Sequence, residues 1–575
     1  MTTLYGYTGH IRAFLLPYVC ASAFLAGSLV SAGQSIRAED AGADPGAIQE
    51  HREKSWEQFL GDEERGEEKV DPEIEGPDQK NTSPDKADGQ ETLRFRVKRF
   101  EVSESELLTR EQIERIIRPY ENRTLTEKQI RQVLREFNRL YAEKGHPTAR
   151  AFLASEKITN GVVKIRLVES KLGKLKIEGA EQLRRSFIRA HLDDNNEKGE
   201  TLSIPELEKE LIRFNRLNES NLRAKLAPGA AFGTTDIELD VAEPDAYQLS
   251  LFADNSGRKT VGRLRTGAYF KAANVIGRSD PLSVIADWSR GSVSHLLSYS
   301  VPLTSSGLRF ETSWSDSEIE VIEEPYEHLD ITGDFQELTA GLLYPFYVNA
   351  QSKWSAYTRF SRSWSESYTL GIKQQDLQLD MYSAGVSGSV YDRSGRWYTD
   401  HSLNRGTDEE HVFYYDGSLT RWQRLGGEFT LRMTGAGQYA PADRSIPASE
   451  QFQIGGANTV RGFSEGALGG KSGYYLSLEL RRPLVRSAPG LLSNGAADSI
   501  EGFVFLDHGG AFPYRGEDGH ITENDFLTGA GIGARFNISD YMTGRVSLGF
   551  PLDQNEHDPD PRSPWIHFGI QAHCF

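Results

Sequence analysis

From about residue 244 to the C-terminus, apolar and polar residues alternate in short segments that are separated by turn-rich stretches. Clear examples are YQLSLF (247–252), LRFETSW (308–314), YYLSLELR (474–481) and RVSLGF (545–550). Successive side chains of a strand point to opposite faces, so each segment predicts a strand with one apolar and one polar face. The repeated pattern is typical of a transmembrane β-barrel. A soluble sandwich or propeller is the alternative, and it would need the apolar faces to meet in a core.

The last segment, WIHFGIQAHCF (565–575), predicts how the sheet closes. Its even-numbered positions carry Ile566, Phe568, Ile570, Ala572 and Cys574, and the chain stops at the aromatic Phe575. A strand that ends the polypeptide can pair with the first strand and leave no open edge. Residues 244–575 can hold sixteen strands of about ten residues each, although the alternation alone does not fix that number.

Two similar units precede the alternating region, at residues 93–170 and 171–243. Each reads strand–helix–helix–strand–strand, which is typical of a small α+β module. Capping boxes at 109–112, 126–129 and 203–206 predict helix starts, and Asn160-Gly161 predicts a hairpin turn. We favour a tandem repeat over a single α+β domain because the order of elements recurs after about 75 residues.

The N-terminal part has three predicted regions. Residues 1–32 read as a secretory signal because an apolar run ends in the small residues of a cleavage site, and a membrane anchor is the alternative. Residues 33–60 contain a predicted helix that Asp44 can cap, with an apolar stripe thin enough to need a host surface. Residues 61–92 hold 12 acidic and 4 basic residues, which predicts a flexible linker.

Charge and cysteine content narrow the possible functions. The chain has 65 basic and 83 acidic side chains, a net charge of −18, which argues against nucleic acid as a partner. The predicted linker contributes −8 of that total, so the charge says little about any binding face. The only cysteines are Cys20 and Cys574, and removal of the signal would leave a single thiol and no intrachain disulfide.

Enzyme motifs are approximate or missing. EGALGGKS (465–472) has glutamate where a phosphate-binding loop needs its first glycine, and GAGIGAR (529–535) lacks the dinucleotide spacing. HDPDP (557–561) could hold a hard cation, but a solvated loop is the better interpretation. We therefore predict no enzymatic activity, no cofactor, no metal site and no small-molecule substrate.

One arginine stands in the glycine-rich stretch QIGGANTVRGFSEGALGG (453–470). Together with the signal, the N-terminal helix, the linker, the two units, the barrel and the terminal Phe575, its VRGF motif resembles the two-partner secretion transporters, the TpsB group. This group belongs to the superfamily of outer-membrane barrels with periplasmic POTRA domains. The resemblance covers essentially the whole mature chain. It implies an all-β barrel of sixteen antiparallel strands after two α+β POTRA domains and a helix that plugs the pore.

The resemblance also implies a partner for the arginine. Val460, Arg461, Gly462 and Phe463 would form the tip of a loop folded into the lumen. An F-x-D-x-G motif of the inner wall, here Phe505, Asp507 and Gly509, would supply the carboxylate, and Phe575 would be the C-terminal barrel assembly signal. A guanidinium offers a bidentate donor pair to a carboxylate. A surface hairpin with a solvated arginine is the alternative.

The implied function is transport across the bacterial outer membrane. An unfolded TpsA-type exoprotein, such as a haemolysin, an adhesin or a contact-dependent toxin, would bind the periplasmic POTRA units and cross the pore. Further partners would be outer-membrane lipid and the barrel assembly machinery that inserts the protein. The alternatives are a β-barrel insertase, which the presence of only two POTRA units disfavours, and a passive porin, which the tandem units disfavour.

Overall fold

The computed structural model describes residues 44–49, 52–54, 74–75, 94–154, 158–192, 201–323, 327–407, 412–441, 446–488, 498–512, 525–538, 541–553, 555, 558 and 560–574. The predicted signal (1–32) and Phe575 lie outside these residues. So do most of the predicted linker and the C-terminal part of the predicted N-terminal helix.

Two short pieces precede the first unit. Residues 45–49 and 52–54 are helical, and we call them the lumen helix. The Asp44 carboxylate accepts the Ala47 N–H at 2.8 Å, so Asp44 is the N-cap that the sequence predicts. Within the predicted linker lies a strand that the sequence analysis does not predict, β1 (Ile74–Glu75).

The first unit is built on a three-stranded sheet and two helices. Its elements are β2 (Arg94–Val97), β3 (Arg99–Val102), α1 (Arg110–Ile117), β4 (Arg123–Thr126), α2 (Glu127–Glu143), β5 (Arg150–Leu153) and β6 (Val162–Val168). The sheet has the order β3-β6-β5, and β2 pairs with β4. Thr109 and Thr126 both form the predicted capping boxes. Asn160 and Gly161 turn the predicted hairpin with φ of 57° and 80°.

The second unit repeats this order. Its elements are β7 (Lys171–Glu178), α3 (Arg185–Leu192), α4 (Ile204–Leu217), β8 (Asn221–Pro228) and β9 (Thr234–Ala242), and its sheet has the order β1-β8-β9-β7. The capping box predicted at Ser203 is wrong, because the Ser203 side chain makes no capping hydrogen bond. Pro205 removes one amide donor of the first turn, and the Ile204 N–H bonds to the Gly145 carbonyl instead.

Each unit ends in a glutamate whose carboxylate accepts backbone N–H groups from the segment before the first helix. Glu169 accepts the backbone N–H groups of residues 106–107, and Glu243 accepts those of residues 181–183. Both segments lead into the first helix of their unit. This recurrence supports the tandem interpretation, since a single α+β domain gives no reason for two equivalent carboxylates.

Sixteen antiparallel strands form a closed barrel after the units, which confirms the predicted fold class. They are β10 (Tyr247–Asp254), β11 (Arg265–Ala272), β12 (Leu282–Ser289), β13 (Ser292–Pro302), β14 (Arg309–Glu320), β15 (Ile331–Val348), β16 (Ser352–Thr369), β17 (Ile372–Asp392), β18 (Gly395–Gly406), β19 (Phe413–Arg424), β20 (Thr430–Tyr439), β23 (Ser472–Ala488), β24 (Asp498–Phe512), β25 (Phe526–Ile538), β26 (Met542–Pro551) and β27 (Trp565–His573). The last strand pairs with the first, with Ala253 opposite Ile570, as the terminal segment predicts.

The two faces of the barrel wall differ as the alternation predicts. In β23, Leu476 and Leu478 point outward and are 53% and 45% exposed, whereas the inward Glu479 is 2% exposed. Large apolar side chains are exposed on the outside of many strands, among them Trp288, Leu297, Trp314, Leu338, Leu403, Ile532 and Ile566. Because these faces do not meet in a core, the soluble alternatives do not apply. In the described part of the chain, no helix has the length and apolarity to span a bilayer.

The second unit contacts one end of the barrel, here called the unit end. Arg213 of α4 donates to the Ser306 carbonyl at 2.6 Å, and Glu219 pairs with Lys271 at 2.8 Å. Strand β10 starts at this end. Because the strands are antiparallel, every second connection, beginning with β11–β12, lies at this end too. The segment between β20 and β23 therefore leaves from the opposite end. It contains a separate hairpin, β21 (Phe452–Ile454) and β22 (Leu468–Gly470).

Candidate functional site in the barrel lumen

The hairpin β21–β22 carries the VRGF motif into the barrel. Six apolar side chains of this lumen loop and three of the wall form one buried cluster: Phe452, Ile454, Val460, Phe463, Ala467, Leu468, Tyr475, Ala511 and Leu527. Three glycines of the loop have φ between 103° and 108°, a region that L-residues avoid: Gly455, Gly456 and Gly462. The glycine-rich composition thus lets the loop turn sharply while its apolar residues pack on the wall.

Arg461 contacts Asp507, the aspartate of the wall motif, through two nitrogen atoms of its guanidinium group. Its Nε lies 2.7 Å from Asp507 Oδ2, and its Nη2 lies 2.9 Å from Asp507 Oδ1. The Arg461 backbone N–H also donates to Asp507 Oδ2, at 3.1 Å. Arg461 is 7% exposed and Asp507 is fully buried. The pair is therefore bidentate and shielded from water, which is the geometry in which a guanidinium–carboxylate contact is strongest.

A second carboxylate takes part that the sequence analysis did not assign. Glu479 Oε2 accepts from Arg461 Nη1 at 2.9 Å, and Ser477 Oγ lies 3.3 Å from Arg461 Nη2. Arg481 pairs with the other Glu479 oxygen at 2.5 Å. Two arginines thus face two carboxylates, and the buried cluster is neutral. The alternation in YYLSLELR puts Ser477, Glu479 and Arg481 on the polar face of the strand. This pattern could have indicated Glu479 as a lumen residue.

The remaining motif residues shape the space around this contact. The Phe505 ring centroid lies 3.5 Å from the Arg461 guanidinium carbon, so the ring stacks under the cation. A Cβ at Gly509 would lie 2.8 Å from the Tyr474 carbonyl and 3.2 Å from Ile454 of the loop. Phe505 and Gly509 are two residues from Asp507 on either side, so all three share the inner face. Val460 and Phe463 are 0% and 2% exposed.

Two glycines of the wall admit the backbone of the loop tip. A Cβ at Gly529 of β25 would lie 1.8 Å from the Arg461 carbonyl oxygen. A Cβ at Gly549 of β26 would lie 2.5 Å from the Gly462 nitrogen. Both contacts are with backbone, which has little room to yield. This explains Gly529, the first glycine of the GAGIGAR segment, which makes space for the backbone of the loop.

The lumen helix is held by a second buried arginine. Arg52 Nη2 lies 2.9 Å from Asp287 Oδ1 of β12, with exposures of 3% and 0%. Arg52 Nη1 donates to Ser292 Oγ at 2.6 Å, and Ser294 Oγ donates to Gln49 Oε1 at 2.7 Å. These wall residues lie on β12 and β13, on the other side of the barrel from Asp507. The helix and the loop therefore occupy the lumen together.

The two elements also touch one another. The Gln453 side chain of the loop donates to the Ala47 carbonyl of the helix at 3.4 Å. Ala47 packs against Ala448, and Ile48 packs against Val261 and Ile319. Movement of the helix would therefore remove contacts from Gln453 and Ala448, which lie before the tip of the loop.

The aspartates of HDPDP (557–561) that the structure describes serve the protein's own contacts. Asp558 accepts from Ser464 of the lumen loop, and Asp560 pairs with Arg263 and Arg562. These contacts favour a structural role over the cation site that the motif suggested.

Two family models match this chain. The model for haemolysin secretion/activation protein ShlB/FhaC/HecB matches residues 233–536, more than half of the chain, and that for the ShlB-type POTRA domain matches residues 95–170. The chain belongs to this family. Its members are transporters of two-partner secretion, and this protein is an outer-membrane transporter whose barrel lies in the outer membrane and whose POTRA units lie in the periplasm. The unit end of the barrel is thus the periplasmic end.

Individual relatives agree with the family assignment. The outer membrane transporter CdiB of Escherichia coli O6:K15:H31 (strain 536 / UPEC) is 26% identical over 494 residues, which cover 82% of this chain and 81% of that protein. The heme/hemopexin transporter protein HuxB of Haemophilus influenzae (strain ATCC 51907 / DSM 11121 / KW20 / Rd) is 22% identical over 513 residues, 84% and 88% of the two chains. The solved structure of CdiB from Escherichia coli has a TM-score of 0.65 at 20% identity. It covers 94% of this chain and 100% of that chain, and shows a shared fold.

Proposed function

We propose that this transporter exports one secreted TpsA-type protein, a haemolysin, an adhesin or a contact-dependent toxin, which reaches the pore as an unfolded chain. The observation that carries the proposal is the pairing of β1 with β8. It places an extended segment, from outside the unit, on the free sheet edge of a periplasmic domain that touches the barrel.

The edge strand β8 is longer than the described part of β1. Among the described residues, Ile74 and Glu75 pair with β8, opposite Ala224 and Lys225, and β8 itself has eight residues. Unpaired backbone groups on a sheet edge bind an extended peptide by strand addition with little regard to its sequence. An exported chain would add to β8 in the same way and would take the place of β1.

The path through the barrel requires the lumen helix to leave. In the described structure the helix and the loop both fill the lumen, and the residues between the helix and the first unit, 61–92, give the helix a long tether. The lock between Arg461 and Asp507 would meanwhile keep the loop folded against the wall. The cargo would then fold outside, and this folding would help to pull the chain, since the periplasm offers no nucleotide hydrolysis.

The lumen contacts are structural and give no reason to assign a catalytic activity to the protein. Besides its cargo, its partners would be the lipids around the exposed apolar belt and the machinery that assembles barrels, which would read Phe575. Neither of the alternatives, an insertase or a passive porin, explains a lumen occupied by both a helix and a locked loop.

The test is quantitative proteomics of culture medium and outer membrane, with and without this gene. We expect the loss of one or two large secreted proteins while other barrels stay unchanged, and re-expression of the gene should restore them. A broad fall in outer-membrane barrels would show an insertase instead. A culture medium with unchanged protein content would contradict export.

A further inference from the structure

Five arginines project into the lumen between the lock and the periplasmic turns of β18–β26. They are Arg396, Arg432, Arg481, Arg535 and Arg545, and we call them the arginine wall. Their positions in the strand register are adjacent: Arg432 is opposite Glu479, and Arg535 is opposite Arg545. The wall is therefore one continuous patch on one side of the lumen.

Aromatic rings are interleaved with these arginines. The Trp422 ring lies between Arg396 and Arg432 in the register, and its centroid is 4.9 Å and 5.3 Å from their guanidinium carbons. Arg481 lies 4.5 Å from the same ring. Stacking fixes the planes of the guanidinium groups and keeps them extended along the wall.

The charge of this patch is positive overall. Among the described inward residues of β18–β26, the acids besides Asp507 are Asp400, Asp416, Glu479 and Glu501, against the five arginines of the wall. Arg424 at the rim adds a sixth arginine. Asp507 gives no compensation, because Arg461 of the loop already neutralises it. The excess is two positive charges on the inner face of these strands.

Three arginines of the patch line a pocket in the lumen. Arg432, Arg535 and Arg545 are half-buried and line one pocket with Asn458 of the loop. The second unit contacts the turns around 277 and 306 and strand β17, where Arg216 lies over the ring of Tyr391, the residue opposite Arg396. A chain released from β8 of this unit would therefore enter beside the arginine wall.

We propose that the arginine wall binds carboxylate-bearing, extended segments of the exported chain as they enter the pore. This inference rests on the proposed function. Each guanidinium keeps its charge and pairs with a carboxylate through two parallel hydrogen bonds. Exposed contacts of this kind are individually weak and screened by salt, so a segment can move from one arginine to the next. The wall thereby attracts the chain without holding it.

The test uses the full-length protein in detergent and two fluorescein-labelled 20-residue peptides, alternating Glu-Ser and alternating Lys-Ser. Fluorescence anisotropy should show binding of the Glu-Ser peptide alone, and added salt should weaken it. The triple variant Arg432→Gln/Arg535→Gln/Arg545→Gln should bind at least about tenfold more weakly. The matched control is Arg110→Gln/Arg131→Gln/Arg139→Gln, which removes three equally charged but exposed side chains from α1 and α2 and should bind like the unchanged protein.

Two further variants keep the test decisive if the triple variant disturbs the wall. Arg396→Gln touches only the end of the patch and should weaken binding by a smaller factor. The triple lysine variant at 432, 535 and 545 retains the charge and should keep most of the binding. The proposal is wrong if the Glu-Ser peptide binds the glutamine triple variant and its control equally, or if it fails to bind the unchanged protein. Export by the same strain, measured separately, shows whether the proposed function itself holds.

Discussion

Two elements of this chain lie in the lumen, and each places a buried arginine on an aspartate of the wall. Arg461 of the loop meets Asp507, and Arg52 of the helix meets Asp287, with Nη or Nε to oxygen distances of 2.7–2.9 Å in both pairs. What differs is the rest of the contact. The loop buries six apolar side chains and joins β20 to β23, whereas the described residues of the helix pack one large apolar side chain, Ile48.

This difference shows that an ion pair does not decide by itself whether an element stays. Burial of a large apolar side chain contributes roughly 1.5–3 kcal/mol, so the described apolar contacts stabilise the loop more than the helix. Asp287 also lies near a second arginine, Arg265, which itself pairs with Asp254. We therefore expect the helix to leave the lumen more readily than the loop.

The largest expected effect follows from removing the arginine of the loop. In Arg461→Ala, Asp507 loses its partner in a dry site, which typically costs about 3–5 kcal/mol. We expect export to be nearly abolished while the barrel still inserts. Immunoblots of culture medium measure export, and the gel shift of the unheated protein reports a folded barrel.

Glu479→Gln is the matched control for this variant. It removes the second carboxylate but leaves both Asp507 contacts in place, so export should fall by a smaller factor. If Arg461→Ala exports normally, the lock has no role in transport.

The next effect tests the backbone contact that distinguishes the loop. In Gly529→Ala the new methyl group would lie 1.8 Å from the Arg461 carbonyl oxygen, so the loop tip must move away from the wall. Export should fall, though less than in Arg461→Ala, because the charges remain paired. Gly435→Ala is the control, since the atom nearest to its methyl group would be the flexible end of Leu476, at 3.0 Å. Equal export by the two glycine variants would show that close packing of the loop backbone on Gly529 is not required for transport.

The sequence predicted the barrel well because alternation extends through strands such as β23 and β27, and the barrel closes where the terminal segment indicated. The assignment of Asp507 came from the family resemblance, whereas Glu479 needed only its position on the polar face. The pair of Arg52 and Asp287 could not be predicted, because 235 positions separate the two residues and their contact depends on the depth of the helix in the barrel. Strand β1 was missed because two residues in an acidic linker carry no periodicity.

A smaller effect is expected from the arginine of the helix. Arg52→Ala removes the contacts with Asp287 and Ser292 and leaves the contacts of Ala47, Ile48 and Gln49 to hold the helix. We expect more frequent channel openings in planar lipid bilayers, with little change in export. Lys54→Ala is the control, because it removes the same charge from an exposed position of the helix. Channel activity that is equal in both variants would mean that the buried pair does not retain the helix.

The smallest effect concerns Gly46 of the lumen helix, which lies against Ser449 and Phe335. A methyl group at Gly46 would lie 2.7 Å from Ser449 Cβ and 3.1 Å from the Phe335 ring. Alanine also favours the helical state over glycine by about 1 kcal/mol, so the two consequences oppose each other in Gly46→Ala. We expect a slight rise in channel openings. The double variant Gly46→Ala/Ser449→Gly removes the nearest clash but keeps the helical preference, so its openings should fall to the wild-type level or below. If the double variant opens as often as the single one, contact with Ser449 does not limit the position of the helix in the lumen.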